Sequence, residues 1–103
     1  MKFVVSWTER AGGSSADNEA AVKRALQVFS KWSPPQGDIF HQFLTRVDGR
    51  GGYAVIETDN ALNLLDSAAK FGPWFEFAVT PVVDIAEGTP VASQAIDWRE
   101  SIS

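Results

Sequence analysis

The stretch Asp38 to Asn60, DIFHQFLTRVDGRGGYAVIETDN, reads as two β-strands around a turn and holds the only histidine of the chain. Asp48, Gly49, Arg50, Gly51 and Gly52, between the apolar runs, are of the types that tolerate turn conformations, so the flanks should fold back as an antiparallel hairpin with a loose loop. With Val47 opposite Tyr53, Thr45 meets Val55 and Phe43 meets Glu57. The two-residue period then gathers Ile39, His41, Phe43, Thr45, Val47, Tyr53, Val55 and Glu57 on one face, and Phe40, Gln42, Leu44, Arg46, Ala54 and Ile56 on the other. Neither set is polar throughout, so both faces want cover. A slip of one residue between the strands would change which side chains share a face.

Working outward, Lys2 to Thr8, KFVVSWT, is β-branched and aromatic on both parities, as in a central strand. Glu9 to Asp17, ERAGGSSAD, is a polar loop; it lacks the lysine of a P-loop and the spacing of a dinucleotide-binding turn. Asp17 is placed to cap a helix whose apolar stripe is Val22, Ala25, Leu26, Phe29 and Trp32, and Ser33, Pro34, Pro35 and Gly37 end it. After the hairpin, Thr58 or Asp59 can cap a second helix with Leu62, Leu65, Ala69 and also Leu64 as its inward residues, stopped by Phe71-Gly72-Pro73. Trp74 to Val83 is the last strand, and Pro81, lacking an amide hydrogen, marks an edge or strand end. Thr89-Pro90 then suits the cap and first position of a short terminal helix spanning 89–101.

The order β-α-β-β-α-β is that of the α+β ferredoxin-like fold: a four-stranded antiparallel sheet with two helices on one face, here with a short C-terminal helix added. At 103 residues this is one domain, with a core over residues 2–84 and the extension beyond. The second face of such a sheet is open. Phe40, Phe43, Trp74 and Phe77 are more aromatic surface than two helices are expected to cover, so an apolar open face, and hence a homodimer, is the expectation. A terminal helix folded across that face would instead leave a monomer.

A net charge of −4 without a basic cluster argues against nucleic acid and anionic membranes as partners. Arg50 to Glu57 partly matches the third-strand signature of RNA-recognition motifs, but Val55 stands where a stacking aromatic belongs and Glu57 would set a negative charge near the bases. Without cysteine there is no disulfide, and the first apolar run is too short for a signal peptide, which suits a cytoplasmic protein. One histidine and scattered carboxylates give no metal-ligand spacing, and no basic cluster awaits haem propionates, so no cofactor is expected.

KFVVSWTE at residues 2–9, the glycine-rich turn before GYAVIETDN at 52–60, and FEFAVTPVVD at 75–84 together resemble an uncharacterised bacterial family, domain of unknown function 3303. Its fold is similar to the dimeric α/β-barrel proteins, and the resemblance covers about Lys2 to Asp84. That wider group includes cofactor-independent quinone-forming monooxygenases, haem-degrading monooxygenases, muconolactone isomerases and proteins without known activity. The resemblance therefore implies a fold and a dimer more than a reaction, and no catalytic residue carries over from a characterised member.

The residues themselves offer one constellation. His41 alone has an unperturbed pKa suited to proton transfer near neutrality, and in the pairing above it shares a face with Tyr53 and, diagonally about 7 Å away, Glu57. His41 and Glu57 are thus the candidate catalytic pair, with Trp7, Tyr53, Arg46 and Glu76 as candidate ligand contacts. The bland alternative makes His41 an edge-strand residue hydrogen-bonded locally. Two functions follow: a homodimeric domain binding a small molecule or a protein, or a cofactor-independent monooxygenase- or isomerase-like enzyme acting on a small aromatic or cyclic metabolite.

Overall fold

The computed structural model describes residues 1–10 and 12–102, so Ala11 of the expected loop lies outside the described residues. Its elements are β1 (Lys2–Glu9), α1 (Ser15–Lys31), β2 (Ile39–Thr45), β3 (Gly51–Glu57), α2 (Ala61–Phe71), β4 (Phe75–Val82) and α3 (Ile85–Glu100). The strands form one antiparallel sheet in the order β2-β3-β1-β4, the ferredoxin-like arrangement that the element order predicts. Phe3, Val5 and Trp7 of β1 share the helix-covered face with Ala54 and Ile56 of β3 and Phe77 of β4, around a buried centre of Val5, Ala54, Ile56 and Leu64.

The hairpin closes earlier than the expected pairing. Leu44 lies opposite Tyr53 and Thr45 opposite Gly52, while Val47 leaves the ladder and stands in solvent. The turn accounts for this: Arg46 N donates to Gly51 O at 2.8 Å, Gly49 N to Arg46 O at 3.0 Å and Arg50 N to Asp48 Oδ1 at 3.0 Å, so residues 46–50 form the loop.

A second departure lies within β2. Phe40 pairs with Ile56 and Gln42 with Val55, so His41 is an extra residue, a β-bulge. Phe40 and Phe43 are three apart and would face opposite sides of a regular strand; the bulge returns both to the helix side, with ring centroids 5.3 Å apart. There they meet Trp32 at 6.0 and 6.2 Å, while Phe29 of α1 and Phe71 of α2 complete the cluster. Phe40, Phe43 and Phe77 therefore lie beneath the helices, contrary to the expectation that they overflow onto the open face. Trp74 precedes β4. The open face carries Val4, Ser6, Gln42, Leu44, Tyr53, Val55, Ala78 and Thr80, a mixed surface rather than an aromatic one.

The helix starts also differ from their simplest reading. Ser14, not Asp17, caps α1: Asp17 N donates to Ser14 Oγ at 3.1 Å, and Ser14 N donates back to the Asp17 carboxylate, so both residues serve one capping box. Asn60 caps α2 by accepting from Leu62 N at 3.1 Å, whereas Thr58 is buried in the connection. That start orients α2 with Leu64 and Phe71, two turns apart, toward the sheet, and leaves Leu62 and Leu65 exposed instead of inward. α3 begins at Ile85, four residues before the expected start. Pro90 falls in its second turn, and the Thr89 hydroxyl donates to Ile85 O at 2.8 Å rather than capping.

No residue of α3 is buried, and the radius of gyration is 18.3 Å, against about 13 Å for a compact domain of this length. The terminal helix thus projects from the body rather than folding across the open face. No described helix is long and apolar enough to cross a membrane.

A side chain at Gly52 would test the packing of this core. Its Cβ would collide with Leu44 O and the Trp7 ring, and neither can yield: the carbonyl belongs to the ladder, and the ring packs edge-on against Phe43 at 5.5 Å. Gly52→Ala should lower the unfolding free energy in urea by about 1–3 kcal/mol. Lys23→Ala, on the exposed side of α1, should stay within about 0.5 kcal/mol of the parent.

Candidate functional site

The bulge that carries Phe43 to the helix side leaves His41 with its ring on the open face, at the end of the sheet where β2 begins. There His41 Nε2–H donates to Glu57 Oε1 at 2.9 Å. Glu57 neighbours Lys2 across the β3–β1 ladder, and Lys2 Nζ donates to Asp84 Oδ1 at 2.9 Å. Base and acid therefore alternate across the sheet end, from His41 through Glu57 and Lys2 to Asp84.

The hydrogen bond from His41 holds the Glu57 carboxyl below its ordinary value of 4.5, with the charge of Lys2 adding to it. The hydrogen bond and charge of Lys2 lower Asp84 from 3.8, and the same hydrogen bond raises Lys2 above 10.5. The side chains of His41 and Glu57 are 41% and 46% exposed, so water screens the pair.

The remaining candidates do not join this pair. Tyr53 shares its face but stands four residues along β3 from Glu57, roughly 13 Å away. Glu76 is at the opposite corner, on β4 and level with Thr8, where Arg10 Nη1 approaches it at 3.4 Å. Arg46 turns to Asp48 within the hairpin loop. Trp7 lies on the other side of the sheet altogether, among the core aromatics. Among the described residues no three His, Cys, Asp or Glu side chains converge as a metal would require.

Trp7 instead lines a cleft that the sequence reading missed. Between α1, α2 and the sheet is a cavity of about 440 Å³, walled by the rings of Trp7, Phe29, Trp32, Phe40, Phe43 and Phe71, with Glu9, Thr45 and Ser67 as its polar side chains. Leu26 and Phe29 of α1, which also line it, are both well exposed. Trp32 is held at the C-cap of α1, where its backbone N–H donates to Phe29 O at 3.1 Å and its extended ψ ends the helix. Its indole Nε1 is shielded from water and has no hydrogen-bond acceptor among the described residues. The sequence signal was its seven phenylalanines and four tryptophans, of which six phenylalanines and two tryptophans line the cleft.

The sequence profile of a family described as Domain of unknown function (DUF3303) matches residues 1–96. The chain belongs to the DUF3303 family. No curated protein matches it. The match runs through three turns of α3, beyond Asp84, so most of that projecting helix is part of the family's pattern. This DUF3303 domain accordingly presents two separate chemical features, a charged row at one end of its open face and an aromatic cleft beneath its helices.

The charged row makes stability depend on pH in a defined direction. A carboxyl whose folded pKa is depressed adds stability that is complete above its unfolded pKa and lost as pH falls through the folded one. In urea titrations, wild type should be more stable than Glu57→Gln at about pH 6, and the difference should shrink as the pH falls below about 4.5 and be lost once it passes through the lowered folded pKa. Lys2→Met should show a matching loss that persists until the pH rises beyond about 10.5, because a raised lysine pKa stabilises fully below its unfolded value.

Proposed function

We propose that this DUF3303 domain is a homodimeric binding protein for a small apolar molecule, held in the cleft between α1, α2 and the sheet. The observation that carries this reading is the cavity itself, whose volume of about 440 Å³ falls in the range of small-molecule sites and whose walls are aromatic with a few polar groups. Glu9 is the one ionisable side chain lining it among the described residues. A bound molecule would thus meet no near-neutral base, which favours binding over turnover.

The enzyme reading, a monooxygenase- or isomerase-like activity on a small aromatic or cyclic metabolite, rests on the His41–Glu57 contact at 2.9 Å. That pair lies on the face opposite the cleft and stands in water, so it could act only on a molecule enclosed by a second copy. We rank it second for that reason.

Dimerisation is supported by two unpartnered apolar surfaces. Ile39, Leu44 and Tyr53 on the open side of the sheet are about half exposed, and α3 extends Ile85, Val91, Ile96 and Trp98 into solvent. A twofold arrangement would cover both surfaces at once, since each copy supplies a sheet and an arm. The likeness to dimeric α/β-barrel proteins points the same way.

Sedimentation equilibrium should give twice the 11.2 kDa chain mass at micromolar concentration. Leu44→Lys, which places a charge on the open face, should yield the monomer with its circular dichroism unchanged. Binding is tested by titrating neutral naphthalene derivatives while following tryptophan emission, because Trp7 and Trp32 line the cleft while Trp74 and Trp98 do not. A ligand at a hundred times its dissociation constant should add about 2.7 kcal/mol of stability. Ala25→Trp, a substitution from the cleft wall into its space, should abolish the response; an unchanged response in that variant would place the ligand elsewhere.

A further inference from the structure

We propose that the apolar molecule held in the cleft carries one positive charge, as an aromatic ammonium does, and that the Glu9 carboxylate, flanked by the rings of Trp7 and Phe75, receives it. The proposal rests on the binding role argued above and adds the charge class of the ligand.

Its first ground is placement. Side chains alternate along β1, so Glu9 follows Phe3, Val5 and Trp7 onto the helix-covered side of the sheet. In the β1–β4 ladder Trp7 lies opposite Phe77 and Glu9 opposite Phe75, and directly opposed residues of antiparallel strands share a face. All four line the cleft. The backbone is fixed at this point, since Glu9 N donates to Arg50 O at 2.8 Å. The carboxylate thus stands at the hairpin end of an aromatic wall, and its neighbours on that wall are rings.

The second ground is an unbalanced charge. No lysine, arginine or histidine lines the cleft among the described residues, and Glu9 is its single ionisable group. Arg10 turns to Glu76 and Arg46 to Asp48, and no salt bridge among the described residues includes Glu9. A cationic ligand supplies the missing partner, a neutral one leaves the carboxylate as it was, and an anion is repelled. Glu9 is exposed, so an ammonium beside it keeps part of its hydration and escapes the penalty of full burial.

The third ground is the chemistry of the walls. The face of an indole or phenyl ring carries partial negative charge, and a cation within about 6 Å of the ring centroid is attracted to it. Trp7 and Phe75 are each partly exposed, so their rings have surface to offer. Aromatic walls also stack on a flat apolar body. One guest, a ring system ending in an ammonium, therefore satisfies both the apolar space and the carboxylate.

The test uses the full chain and three naphthalenes of nearly equal size: 2-naphthylmethylamine, which is protonated at neutral pH, 2-naphthylmethanol and 2-naphthoate. Titration calorimetry in low salt should show the ammonium binding about fivefold more tightly than the alcohol, a ratio worth about 1 kcal/mol, and the carboxylate binding most weakly. Glu9→Gln should cut that ratio to less than about twofold with the alcohol's affinity unchanged. Glu76→Gln removes the same charge from the opposite face at the same end of the sheet, and should preserve the ratio. Sodium chloride at about 0.5 M should shrink the ratio in the unmodified protein with little effect on the alcohol. Equal affinities for ammonium and alcohol, a ratio that survives Glu9→Gln, or one that Glu76→Gln lowers as much, would overturn the role of Glu9 and leave the binding role standing. Failure of all three probes to bind would overturn both.

Discussion

Two aromatic side chains three residues apart cannot share one face of a regular strand, yet Phe40 and Phe43 do so here. Packing both rings against Trp32 offsets the interrupted ladder, since apolar area taken from water is stabilising and a bulge leaves only one residue unpaired, even though Phe43 stays about half exposed. The rest of the arrangement depends on that choice. The inserted residue is His41, so the bulge presents the imidazole to Glu57, and the ring pair it secures forms part of the wall of the cleft. One irregularity therefore shapes both faces of the sheet.

The element order and the glycine-rich turn were legible in the sequence because apolar runs and turn residues are local signals. Register was not, because neither face of the hairpin is cleanly polar and so nothing in the pattern penalises a slip. Helix starts were readable only to within a few residues. Ser14 and Asp17 are both good caps, and the structure uses them together; Thr58, Asp59 and Asn60 offer three successive caps, and the Thr58 hydroxyl is taken by Asn60 N at 3.1 Å. The nearness of His41 to Glu57 was anticipated as a diagonal contact, but it arises as a direct hydrogen bond by way of the bulge. Trp7 could stand at the margin of that site only in a different register, and its parity in β1 places it on the opposite side.

Separating the titratable groups from the aromatic cleft has a physical logic. The charged row occupies an exposed end of the sheet, where carboxylates and ammonium groups stay hydrated and pair at little desolvation expense. The cleft holds one carboxylate, two hydroxyls and otherwise aromatic and aliphatic groups, so apolar contact governs what enters it. Either feature would be weakened by the other: a screened ion pair gains nothing from rings it cannot touch, and a charged lining would weaken apolar binding.

Asp84 occupies the position from which a carboxylate ordinarily steadies the start of a helix, but it makes no side-chain cap to α3 and reaches for Lys2 instead. The root of the projecting helix is consequently tied to the sheet by an ion pair whose members are 29% and 63% exposed, and such a tie loosens as the ionic atmosphere contracts. Ionic strength thereby acts as a setting on a joint. Added salt screens this pair, so the joint between sheet and helix then leans more on the short backbone link from Val82.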